Sequence, residues 1–181
     1  MRALLLASFV FILAVAAPTP SPAQTREQGG LTESESRQLY REFSEIRSFG
    51  VIAISLLGDA EKIGLRQKEL LDLIRSRYKT YFKEIPYEDL TRDPDTLMNL
   101  VVSRDREIGN ITFRVWVIGE DYPVVYHIRC DAGNFDNPSI YTEEVLGHGT
   151  AATAPENVRN IVGEMMSELA ASFFKSRSSD G

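Results

Sequence analysis

Apolar residues recur along this chain with two different periods. At helical spacing stand Leu39, Tyr40, Phe43 and Ile46, then Leu70, Leu71, Ile74, Tyr78, Tyr81 and Phe82, and finally Val158, Ile161, Val162, Met165, Met166, Leu169 and Phe173. Stripes of that width predict amphipathic helices near 33–47, 65–83 and 153–175. Capping boxes support the first and last, Thr32 with Glu35 and Thr153 with Glu156, and Pro155 suits a first helical turn. Shorter runs rich in β-branched and aromatic residues predict strands at 49–57, 97–103, 111–119, 123–131 and 140–146. A short edge strand is expected around 85–88, where Pro86 and then Pro94 punctuate the chain. This order predicts an α+β fold: a single antiparallel-rich β-sheet of about five strands with two to three helices packed on one face. The other sheet face is then left open.

The N-terminus follows neither period. Arg2 is followed by an uncharged run over residues 3–17, too short to cross a bilayer core, which needs about 20 apolar residues. It fits the apolar region of a cleavable signal peptide, and Ser21-Pro22-Ala23 fits the cleavage site, so residues 1–23 are expected to be removed. Residues 24–30 then form a flexible lead-in, 31–177 one domain and 178–181 a frayed tail. The expected location is extracytoplasmic, periplasmic or secreted. No cysteine stands near the cleavage region to carry a lipid, so no stable membrane anchor is expected.

Composition narrows the partners. Cleavage after Ala23 leaves 158 of the 181 residues, with 19 basic against 26 acidic side chains, a balance of −7. An acidic chain without a basic cluster is a poor ligand for nucleic acid, whose affinity rests on neutralised phosphates. Cys130 is the sole cysteine, so the domain is held by its core without an intramolecular disulfide.

The most informative local pattern is a hairpin. If Glu120-Asp121 forms a two-residue turn, Ile111, Phe113, Val115 and Val117 share one face with Cys130, Ile128, Tyr126 and Val124. That face belongs in the core, with Cys130 a buried, inert thiol. The opposite face presents Arg114, Trp116, His127 and Arg129. An aromatic beside guanidinium donors is the composition of interaction hot spots. A protein, a peptide or a glycan is therefore the expected ligand of the open sheet face, in a non-enzymatic binding domain.

His148, between two glycines in a loop before the last helix, marks with Thr150 a weak candidate anion site at the helix N-terminus. A small secreted hydrolase is the alternative reading, and it requires Asp136 or Glu144 to converge on His148. Another alternative is an envelope subunit self-associating through an uncovered sheet edge. The Asp131–Asn137 segment is rich in oxygen ligands but lacks the alternation of a calcium loop. Asn110-Ile111-Thr112 is a glycosylation sequon that matters in a eukaryotic source alone. Two histidines and one thiol are too sparse for zinc or iron, so no metal and no cofactor is expected.

Overall fold

The computed structural model describes Gln38 and residues 41–178; the expected signal peptide, lead-in and final tail residues lie outside the described residues. Helix α1 is described at Gln38 and residues 41–44 and stops short of the expected 47, because the N–H groups of Arg47 and Ser48 both donate to Glu107 O. β1 (Ser48–Gly58) follows, then α2 (Gln67–Tyr81), α3 (Pro94–Ser103), β2 (Ile108–Ile118), β3 (Val124–Asn134), β4 (Tyr141–Gly149) and α4 (Ala154–Ser178). The sheet has four strands in the order β1-β2-β3-β4. β1 pairs parallel with β2, and the remaining pairs are antiparallel. The parallel pair follows from the crossover through α2, since two parallel neighbours cannot be joined by a hairpin.

Two expectations about strands are corrected. The 97–103 run is not a strand but most of α3. Asp93 caps it, its Oδ1 accepting from Thr96 N at 3.1 Å and its Oδ2 from Thr96 Oγ1 at 2.7 Å, and Pro94 occupies the first turn. These start signals outweigh the β-branched Val101 and Val102. The 85–88 segment contributes one isolated bridge, Phe49 to Tyr87, rather than a strand.

The helices α2 and α4 pack against each other and against β1 and β3. Between them and the sheet lies an aromatic cluster, with Phe173 5.0 Å from Phe43, 5.7 Å from Phe49 and 5.5 Å from Phe82, centroid to centroid. Cys130 lies fully buried on this face. Its thiol pKa is pushed well up, first by burial and then by the carboxylates of Glu143 and Asp131. Helix α3 stands apart from this layer, with no buried residue of its own.

The hairpin register differs from the expected one by two residues. Phe113 faces Cys130, Arg114 faces Arg129 and Trp116 faces His127. The connection is a five-residue loop, 119–123, instead of a two-residue turn. Gly119 takes a positive φ of 94° and its N–H donates to Asp59 Oδ2 at 3.0 Å, while Pro123 has no N–H for the ladder. A shift of two leaves every side chain on its expected face, because the strand period is two.

Candidate functional site

The open sheet face is built from alternate residues of four strands. Across the sheet, Ser55 lies beside Arg114, Arg114 opposite Arg129, and Arg129 opposite Glu144. The next row runs Leu57, Trp116, His127 and Leu146, and the one beyond it Ile118, Val125 and His148. The four expected residues Arg114, Trp116, His127 and Arg129 therefore do share one face. Trp116 is 52% exposed, so the described residues leave half of it open to solvent. Leu57, Ile118 and Leu146 are exposed in the same stripe, and Tyr122 stands in the adjoining loop. Residue-by-residue reading of the hairpin missed Leu57 and Leu146, because their rows depend on how β1 and β4 pair with it.

Beside this stripe, on the same face, lies an ordered polar network centred on Asp131. Its carboxylate accepts from Arg129 Nε and Nη2 and from Arg114 Nη2, each at 2.8 Å, and from Thr142 Oγ1 at 2.7 Å. Burial pushes the Asp131 pKa up, but the hydrogen bonds from Arg129, Arg114 and Thr142 overcome that and hold it at about 2. Arg129 also donates from Nη1 to Glu144 Oε1 at 2.7 Å, and Glu144 Oε2 stands 3.6 Å from His127 Nε2. Two guanidinium groups and two carboxylates thus cancel, and the face is locally neutral on a chain of net charge −6. Arg129 is committed to these carboxylates, which weakens the case for an acidic ligand.

His148 requires a correction. It lies not in a flexible loop but on β4, opposite Val125, on the open face. The flanking glycines serve packing: a Cβ on Gly147 would lie 2.4 Å from the Tyr126 ring, so only glycine lets β4 cross that buried side chain. Thr150 is likewise unavailable to an anion, because its N–H donates to Thr153 Oγ1 at 3.1 Å and its Oγ1 accepts from Thr153 N at 3.2 Å. Nor do the acids of a hydrolase converge here. Glu144 is four residues from His148 along β4, about 13 Å, and it is held by Arg129. Asp136 lies past the far end of β3, bound by Arg106 at 2.6 Å.

The oxygen-rich 131–137 segment is also accounted for by its own hydrogen bonds. Asn134 Oδ1 accepts from the N–H groups of Asp136 and Asn137 at 3.0 and 2.7 Å, a side-chain-closed turn. Among the described residues no group of three or more His, Cys, Asp or Glu could hold a metal ion. Asn110 of the sequon is buried and its Nδ2 donates to Asn134 O at 3.1 Å, so its amide is not free for a glycan in the folded chain. No described helix is long and apolar enough to cross a membrane.

No protein-family model matches the chain, and no curated protein matches it by sequence. Among solved structures it is similar to the PelC dodecamer from Paraburkholderia phytofirmans, at 9% identity and a TM-score of 0.43, covering 81% of this chain and 96% of that one. A point-substituted PelC dodecamer from the same organism gives a TM-score of 0.41 at the same identity and coverage.

Proposed function

We propose that this is an exported, non-enzymatic interaction domain that works outside the cytoplasm and docks a protein on its open sheet face. The observation that carries this is the exposed stripe of Leu57, Trp116, Ile118 and Leu146 on the face opposite to that packed by α2 and α4. Solvent-exposed apolar side chains grouped in this way mark interaction sites. Beside the stripe, the Asp131 network supplies a rigid, already satisfied polar border, as the rim of a hot spot requires. The aliphatic share of the stripe and the commitment of Arg129 to Asp131 and Glu144 favour a protein over an acidic peptide or a glycan.

The test uses Trp116, the single tryptophan of the chain. Trp116→Ala is expected to fold and melt like the parent while docking weakens at least about tenfold. A photo-reactive residue at position 116 is expected to form a crosslink that the same residue at Lys79, on the helical side, does not. Collapse of the fold in Trp116→Ala, or equal crosslinking from both positions, would overturn the docking surface. Export is tested separately by sequencing the mature N-terminus from fractionated cells, where Gln24 is expected as the first residue.

A further inference from the structure

Among the described residues, the large exposed hydrophobic side chains fall into two groups. One is the open-face stripe with Tyr122; the other is Met98, Val101 and Val102 on α3, which are 63, 50 and 75% exposed. At spacings of three and four residues these three form a single ridge along the helix. The domain thus has a sheet face without a helix and an apolar helix ridge without a sheet. A helix ridge laid on a sheet face is the elementary packing layer that each of them lacks.

One chain cannot satisfy both needs by itself. Leu90, just before α3, and Ile108 both stand against Gly50 near the start of β1, and the chain leaves α3 to enter β2 at Ile108. Leu57 and Trp116 lie at the opposite end of the same strands, about 25 Å away at the rise of an extended chain. Both connections of α3 therefore hold it at the wrong end of its own sheet. Charge agrees with a contact between copies. Asp95 lies one heptad before Val102 and so borders the ridge, with an exposed carboxylate. Arg114, beside Trp116 on the stripe, is 55% exposed and spends one nitrogen on Asp131.

Resting on the docking surface proposed above, we infer that its occupant is a second copy of this chain, whose α3 ridge packs on the Trp116 stripe with Asp95 toward Arg114. The contact joins two different surfaces, so it propagates from copy to copy and yields a ring or an open filament rather than a closed two-fold dimer.

Sedimentation of the purified protein, read alongside Trp116 emission, tests this. As concentration rises, the parent is expected to grow beyond the monomer while its emission moves to shorter wavelength and resists quenching. Val102→Glu, which spoils the ridge, and Trp116→Glu, which spoils the stripe, are each expected to stay monomeric with near-parental melting. Mixed, they retain one intact ridge and one intact stripe, and a 1:1 dimer is expected that grows no further. Since Trp116→Glu lacks tryptophan, the blue shift on mixing reports the intact stripe being covered. Should either variant fail to fold, Val101→Glu or Leu146→Glu replaces it on the same patch. Self-association of Val102→Glu alone would mean that stripe meets stripe, and would overturn the inference. A parent that stays monomeric overturns it too; a crosslink from position 116 to another protein would then leave the docking surface standing, and no crosslink would remove both.

Discussion

Asp131 shows how one buried carboxylate organises an exposed face. Its side chain is 4% exposed yet meets two guanidinium groups that are 55% and 32% exposed, so it is the anchor and they are its adjustable partners. With its pKa held at about 2, below the ordinary 3.8, folding gains from its ionised form. The gain is worth about 2 kcal/mol. Because the folded pKa is the lower one, that stability is present in full above the ordinary carboxylate range and drains away as pH falls from about 4 to 2. Asp131→Asn is expected to cost about 2 kcal/mol at neutral pH, because the arginines keep access to water and avoid the full penalty of a buried unpaired charge. It should also flatten the acid limb of the stability profile. Denaturant melts of both proteins at neutral pH and near pH 3 check this, and parallel losses in the two would refute the role of Asp131. Gly58 illustrates a different constraint on the same face. It adopts a φ of +66°, and a Cβ there would meet Val117 O at 2.1 Å and the Trp116 ring at 3.0 Å, so β1 must end in glycine for the indole to lie beside it.

Among the elements, α3 and α4 are opposites. α4 buries Val158, Val162, Met165, Met166, Leu169 and Phe173 and draws its stability from packing. α3 buries nothing, so its local signals carry it: the Asp93 cap, Pro94, and Arg104 in the left-handed region at φ 54°, whose N–H reaches Leu100 O and Val101 O. Asp93→Ala is expected to cost α3 about 1 kcal/mol and to raise amide exchange across 97–103, while the global melting temperature hardly moves. Hydrogen exchange resolved by segment checks it; an equal loss of protection in α4 would show that α3 is coupled to the core after all. β4 is an edge strand whose inner side carries Gly147 against Tyr126 and whose outer face adds Leu146 and His148 to the stripe. It is thus the strand that widens the hairpin into the proposed docking face.

For the whole molecule, the division of labour between the two sheet faces is the governing fact. One face is closed by α2 and α4 around Phe49, Phe82 and Phe173, and global stability resides there. Phe173→Ala, at a fully buried position in contact with the rings of Phe43, Phe49, Phe82 and Phe174, is expected to lose about 3–5 kcal/mol, measured by thermal or denaturant unfolding; a loss below about 1 kcal/mol would show that the cluster is not the core. The other face carries the proposed docking stripe, and substitutions there need not disturb this cluster. Local pattern and composition placed the helices α2 and α4, the strands β1 to β3, the first part of β4 and the side on which Cys130, Trp116, Arg114, His127 and Arg129 stand. Periodicity settles these because burial acts on each residue and a face depends only on parity along a strand. Tertiary structure alone decided the rest. Parity cannot distinguish pairings two residues apart, so the true hairpin register and the 119–123 loop emerged from the Gly119 bond to Asp59, a residue 60 positions away. Pairing between strands is equally nonlocal, so the gathering of Leu57, Leu146 and His148 around Trp116 was invisible in the chain. The run at 97–103 was misleading because β-branched content is a weak preference, and the Asp93 cap with Pro94 in the first turn overrides it.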